Sequence, residues 1–237
     1  MKSSVLFVFL IAFAFVSCSK DNASVLHGMG YEADGTGLLE AVGNDDTAAL
    51  EIFLKMPELL NFADKSGRNA VMLASAKKDC TMLKKLVAAG ANLKIMDNSE
   101  KMPLHYAAAG NSEECAEFLL ENGADANFQD NFGRDAANTL ATLAKEENPG
   151  LFRMLAGKST DLERRDKDKK TLLIIASEKG QADYVKFLIS SGVSPLSKDF
   201  SGKTALDYAS ESLDAGRLDS ATFEELAAYT QKIKEKL

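Results

Sequence analysis

The chain has 237 residues, 46% of them apolar, and a formal net charge of -7 at pH 7. That apolar content is enough to bury a sizeable core. An acidic chain with no dense basic run argues against nucleic acid as a partner, and 3 cysteines with 2 histidines in no zinc-like spacing argue against a metal centre.

In chain order, Met1-Lys2-Ser3-Ser4 leads into an apolar run from Val5 to Val16. The run is too short to span a bilayer comfortably and reads as a secretory signal peptide. It ends in Phe15-Val16-Ser17-Cys18. That string resembles the bacterial lipoprotein signal, in which cleavage falls just before a cysteine that then carries acyl chains. Phe15 stands where leucine is usual. Cleavage after Ala12-Phe13-Ala14 is the alternative. The resemblance implies a signal peptide at 1–17, lipid attachment at Cys18, and a lipidated N-terminus and polar tether at 18–33. It places the protein in a bacterial cell envelope, lipid-anchored in the membrane and facing the periplasm or the cell surface.

From residue 34 the chain repeats itself. Asp64, Asp97, Asp130, Asp166 and Asp199 follow one another in steps of 33, 33, 36 and 33 residues. Five residues after each stand Asn69, Met102, Asp135, Thr171 and Thr204, with Thr36 one period earlier. Six units result, at about 34–66, 67–99, 100–132, 133–168, 169–201 and 202–237. A period near 33 marks units that bury their apolar faces only against neighbours. Ala41, Ala74, Ala107, Ala176 and Ala209 recur where a short first helix packs closely. Leu119-Leu120 and Leu188-Ile189 supply the core face of a second helix. Gly90, Gly123 and Gly192 end the second helix, and Gly67, Gly133 and Gly202 lie in the turn before the next unit. The periodic aspartates read as turn acceptors for nearby backbone N–H groups rather than as catalytic acids. Departures from the rule are Pro57, Leu140, extra residues near Asn148-Pro149-Gly150, and a polar insert from Ser212 to Ser220 before a last helix at about Phe223 to Leu237.

The strings that fill this frame are Met102-Pro103-Leu104-His105-Tyr106-Ala107-Ala108, then Phe118-Leu119-Leu120 and Gly123-Ala124-Asp125-Ala126-Asn127, with Gly202-Lys203-Thr204-Ala205-Leu206-Asp207-Tyr208-Ala209 near the end. They resemble the ankyrin repeat. The resemblance covers about residues 32 to 237. It implies an all-α ankyrin-repeat solenoid of about six helix-turn-helix repeats, with His105 bonding the loops between repeats. It also implies partner binding through the turn tips and the inner face of the first helices. Carried over by phase, that gives a basic ladder of Arg68, Lys101, Arg134, Lys170 and Lys203. Beside it runs a strip of Leu73, Tyr106, Thr139, Ile175 and Tyr208, and Phe132 and Phe200 project from the turns. Such a surface suits an acidic or extended protein segment. No cofactor and no metal are expected, and a monomer is.

Cys80 and Cys115 are expected to be free thiols rather than a bridge, Cys115 facing the core and Cys80 not. The function these features point to is non-enzymatic protein–protein interaction by an envelope lipoprotein that binds another envelope protein or a delivered one. The alternatives are an immunity protein that neutralises an envelope-acting toxin, a redox or enzyme accessory protein of the periplasm, and a structural spacer.

Overall fold

The computed structural model describes residues 21–236, so the signal peptide and Cys18 lie outside the described residues. Residues 21–28 are helical, labelled α1. There follow α2 (Gly35–Gly43), α3 (Thr47–Phe53), α4 (Ala70–Ser75), α5 (Thr81–Ala88), α6 (Pro103–Ala109) and α7 (Glu113–Glu121). The chain continues through α8 (Ala136–Leu143), α9 (Pro149–Lys158), α10 (Leu172–Lys179), α11 (Ala182–Ser190), α12 (Ala205–Asp214) and α13 (Ser220–Lys234). The fold is all-α, with only two isolated bridges, Ala63 to Asn69 and Arg165 to Thr171, among the described residues.

The first helix of a unit starts at its alignment residue, for a local reason. Asn69 Oδ1 accepts from the Met72 N–H and Asp135 Oδ1 from the Asn138 N–H, each at 2.9 Å. Thr171 Oγ1 and Thr204 Oγ1 accept in the same way from Ile174 and Asp207, each at 3.4 Å. Each satisfies an N–H that the helix itself cannot bond. Asp207 Oδ2 takes the Thr204 N–H in return at 2.7 Å, which closes a capping box. Met102 offers no capping oxygen. There Pro103 opens α6. In the first unit the helix begins two residues early: Asp34 is the cap, and the aligned Thr36 lies inside α2 and donates its N–H to Asp34 at 2.8 Å.

The first helices α2, α4, α6, α8, α10 and α12 stack in one row, and α7, α9, α11 and α13 stack in a second. Ala41, Ala74, Ala107, Ala176 and Ala209 are fully buried, so small residues do set the close approach of the first row. One apolar cluster runs from Leu26 to Leu226. Burial of this kind stabilises by roughly 25 cal/mol per Å² of apolar surface removed from water.

Three expectations change. The stretch read as a polar tether is folded from residue 21 on: Leu26 and Tyr31 are buried in the common core. They cover an end repeat that would otherwise expose its apolar side. The sixth repeat's polar insert is helical at its two ends, α12 running to Asp214 and α13 starting at Ser220, with residues 215–219 forming the turn between them. Ser212 is fully buried, and its hydroxyl donates to the Ser177 and Glu178 carbonyls at 2.8 and 3.0 Å. The extra residues of the fourth repeat lie slightly before Asn148. The first helices α2, α6, α10 and α12 are each followed by one residue of positive φ: Asp45 (58°), Asn111 (54°), Gly180 (72°) and Gly216 (69°). After α8 the chain instead leaves extended at Ala144, ψ 137°, and re-enters a helix at the Asn148 cap. The Asn148 N–H donates to the Tyr184 hydroxyl at 2.8 Å and so fastens this longer connection to the next repeat.

Candidate protein-binding surface

The periodic aspartates build the turn tips. Oδ1 of Asp97 accepts the N–H groups of Ser99 and Lys101, both at 2.8 Å. Asp64, Asp130, Asp166 and Asp199 repeat that pair of bonds to the second and fourth following residues at 2.8 to 3.0 Å. Each tip also bonds the previous one through the backbone: Asn98 N–H to Ser66 O, Asn131 to Ser99, Lys167 to Phe132 and Phe200 to Asp168, at 2.9 to 3.1 Å. The tips therefore form a continuous zipped edge.

The second carboxylate oxygen shows what two residues of the strip do. Tyr106 Oη donates to Asp97 Oδ2 at 2.7 Å, and Tyr208 Oη to Asp199 Oδ2 at 2.6 Å. The pairing holds the Tyr208 hydroxyl well above the usual tyrosine range, and burial does the same at Tyr106 with Asp97 adding to it. Both tyrosines thus brace the turns. Tyr208 is buried, Tyr106 half-buried, Leu73 half-buried, and Thr139 and Ile175 buried at 1% and 3% exposure. The strip expected to face a partner is mostly core. The reason is the small first-row residues, which bring neighbouring helices close enough to cover that position. Tyr208→Phe strands a buried carboxylate oxygen and is expected to cost about 1.5–3 kcal/mol. Tyr106→Phe should cost less, because water reaches that site. Urea unfolding of both variants checks this, and unchanged midpoints would show that the hydroxyls are idle.

The basic ladder is largely neutralised from within. Arg68 pairs with Asp64 at 2.7 Å, Lys170 with Glu178 at 2.7 Å and Lys203 with Glu211 at 2.6 Å, while Arg134 stands 3.8 Å from Asp166. Lys170 and Lys203 also lie over the Tyr208 ring, at 4.9 and 5.0 Å from its centroid. Lys101 has no such ion pair among the described residues. The more exposed pairs, of Arg68 and Lys203, stabilise little, but all four leave the ladder with less free charge than its sequence suggests.

Phe132 and Phe200 are different. They are 46% and 67% exposed, and Phe200 is the most exposed large apolar side chain among the described residues. Each carries a cation over its ring: Arg134 at 5.5 Å from Phe132 and Lys169 at 4.7 Å from Phe200.

His105 has the role its motif implies. Nδ1 accepts the Met102 N–H at 3.2 Å, so Nε2 carries the proton and faces the Arg134 carbonyl at 3.1 Å, tying the third repeat to the fourth. Burial pushes its pKa below the ordinary 6.5. The unfolded chain then binds the proton more readily, so the stabilisation is complete above pH 6.5 and is lost as pH falls below it. The urea midpoint is expected to drop between pH 7 and 5.5, and His105→Gln to flatten that slope. Equal slopes would contradict this role.

Both remaining cysteines are free and fully buried, Cys80 included, contrary to the outward position expected for it. Burial, and then the adjoining Cys115 thiol, push the Cys80 thiol far up, so Cys80 is no ready nucleophile. Among the described residues no group of His, Cys, Asp and Glu could hold a metal ion. No described helix is long and apolar enough to cross a membrane.

The stacked helix pairs, zipped tips and buried tip-bracing residues define a repeat solenoid. The family described as ankyrin repeats (3 copies) matches residues 17–136 and 140–234, and the chain belongs to it. Neurogenic locus notch homolog protein 1 of Danio rerio is 38% identical over 122 residues, which is 51% of this chain and 5% of that protein. Neurogenic locus notch homolog protein 2 of Homo sapiens is 36% identical over 126 residues, 52% of this chain and again 5% of the relative. The match thus spans about one-twentieth of those proteins. Among solved structures, a chain from the complex of the predatory endopeptidase Bd0816 of Bdellovibrio bacteriovorus with immunity protein Bd3460 superposes with a TM-score of 0.69. It is 24% identical, over 81% of this chain and 96% of that one, which shows a shared fold.

Proposed function

We propose that the chain is a non-enzymatic protein-binding module that presents its zipped tips to another protein. The observation that carries this reading is the contrast between used and unused side chains. The periodic carboxylates, the tyrosines and most of the ladder are spent on internal bonds, whereas Phe132 and Phe200 stand exposed on a rigid edge. Crosslinking in the native host followed by affinity purification tests it. A protein enriched with the wild-type chain and depleted with Phe132→Ala/Phe200→Ala supports the reading; no enriched protein contradicts it.

We further propose a lipid anchor at Cys18 that holds the module in a bacterial envelope, on the strength of Lys2, the apolar run and the Ser17-Cys18 junction. Residue 18 followed by a folded segment from residue 21 leaves little slack, so the stack would sit close to the bilayer. Mass spectrometry should find acyl chains on residue 18 and an unmodified, released protein for Cys18→Ala. A soluble wild-type chain would contradict the anchor.

A narrower reading is that the bound protein is an envelope-acting enzyme held in check. The solved complex of an endopeptidase with an immunity protein, together with the signal-like N-terminus, favours it. Deleting this chain should then expose the cell to that enzyme, and undiminished growth beside an attacker strain would count against it.

A further inference from the structure

We propose that the tips of the fourth to sixth repeats recognise an extended acidic segment of another protein, with two apolar side chains four residues apart and a carboxylate between them. The inference rests on the protein-binding reading and adds the partner's chemistry.

The spacing comes from the zipped edge. The Phe132 carbonyl accepts the Lys167 N–H at 2.9 Å, and the Asp168 carbonyl accepts the Phe200 N–H at 3.1 Å. Lys167 and Asp168 are consecutive, so at most about 15 Å of backbone separates Phe132 from Phe200. An extended chain rises about 3.3 Å per residue and returns to the same face every second residue. Its residues i and i+4 therefore stand about 13 Å apart on one face, within the limit that the zipped edge sets for Phe132 and Phe200. Residue i+2 falls between them, over the tip of the fifth repeat.

That tip is cationic in an acidic chain. Arg165, Lys167, Lys169 and Lys198 are exposed, and none takes part in an ion pair among the described residues, although the exposed Asp168 stands with them. Lys169 has φ +61°, in the place that Gly67, Gly133 and Gly202 fill in three other repeats and Glu100 (φ +61°) fills in the third. A residue with a Cβ is strained in that region. Here its ammonium group lies over the Phe200 ring. A carboxylate at i+2 meets these cations, none of them ion-paired among the described residues although Arg165 donates to the Ser197 hydroxyl at 3.2 Å, while the rings take the flanking apolar groups. Two rings at a fixed separation fit a segment of defined spacing better than a fluid anionic surface.

Selection of displayed random dodecapeptides on the full chain tests the proposal, with fluorescence anisotropy of the enriched peptides afterwards. The expected consensus is apolar-x-acidic-x-apolar. Affinity should fall at least tenfold for Lys167→Glu/Lys169→Glu and for Phe200→Ala. It should also fall severalfold between 50 and 300 mM salt, since exposed charges are screened over roughly a Debye length. Lys169→Gly serves as the second variant. It should raise the urea midpoint by relieving strain yet weaken the peptide, which a purely structural lysine would not do. Neutral or basic consensus sequences, no enrichment, or equal binding by the charge-reversed variant would overturn the proposal. So would tighter binding to vesicles of 30% phosphatidylglycerol in phosphatidylcholine than to any selected peptide. Capture of a host protein that Phe132→Ala/Phe200→Ala abolishes and Lys167→Glu/Lys169→Glu leaves unchanged would overturn the acidic chemistry alone. Loss of all capture by the wild-type chain would instead remove the broader reading.

Discussion

Phe152→Ala is expected to lower stability by about 3–5 kcal/mol, as buried phenylalanine truncations do. Phe152 is fully buried in α9 and stacks on Tyr184 of α11 with ring centroids 3.9 Å apart and planes within 7°. Phe187 meets it edge-on at 5.8 Å. These three rings join the second helices of the fourth and fifth repeats, where the first helices alone would have to hold the stack together. Tyr184 also accepts the Asn148 N–H, so a shifted ring would loosen the long α8–α9 connection as well. Contacts in a solenoid run only between neighbours, and a central lesion therefore divides the array. Urea unfolding followed by hydrogen exchange should show one transition become two, with the fifth and sixth repeats losing protection first. A single transition within 1 kcal/mol of wild type, on the scale of an ordinary surface substitution, would contradict this account.

Phe132→Ala/Phe200→Ala is the complementary experiment, with an effect on binding rather than on folding. The rings are 46% and 67% exposed, so removing each should change stability by no more than about 1 kcal/mol. If they are the anchors of the partner surface, each loss should cost about 2 kcal/mol of binding, or roughly thirtyfold. The pair should then weaken a captured partner by two orders of magnitude or more, allowing for the usual non-additivity. A variant with unchanged unfolding and unchanged capture would leave the tips without a role.

Much of this was legible from the residues. The steps between Asp64, Asp97, Asp130, Asp166 and Asp199 fixed the repeats, and the reason the spacing was reliable is now visible. A carboxylate that bonds two N–H groups of its own turn tolerates few replacements, and the backbone bond between tips repeats once per unit. His105 was legible for the same reason. The strip was not. Position alone put Ile175 and Tyr208 beside the ladder, but whether a neighbour covers them depends on how closely the rows approach, and Tyr208 proved to be bonded to Asp199. Ladder charge was likewise overstated, because Glu178 and Glu211 sit eight residues after Lys170 and Lys203 and reach back to them. Leu26 and Tyr31 were hidden among polar neighbours that read as a linker. The pairing of Lys169 with Phe200 arises only when two tips lie side by side.

Site-specific photocrosslinking in the native host tests the central claim most directly. A benzophenone amino acid would be placed singly at Phe132, Phe200 and Lys169, and at Glu117 on the exposed side of α7. The account predicts one discrete adduct from the three tip positions and none from Glu117. An adduct from Glu117 with none from the tips would contradict it, because the partner would then be held by the second-helix row.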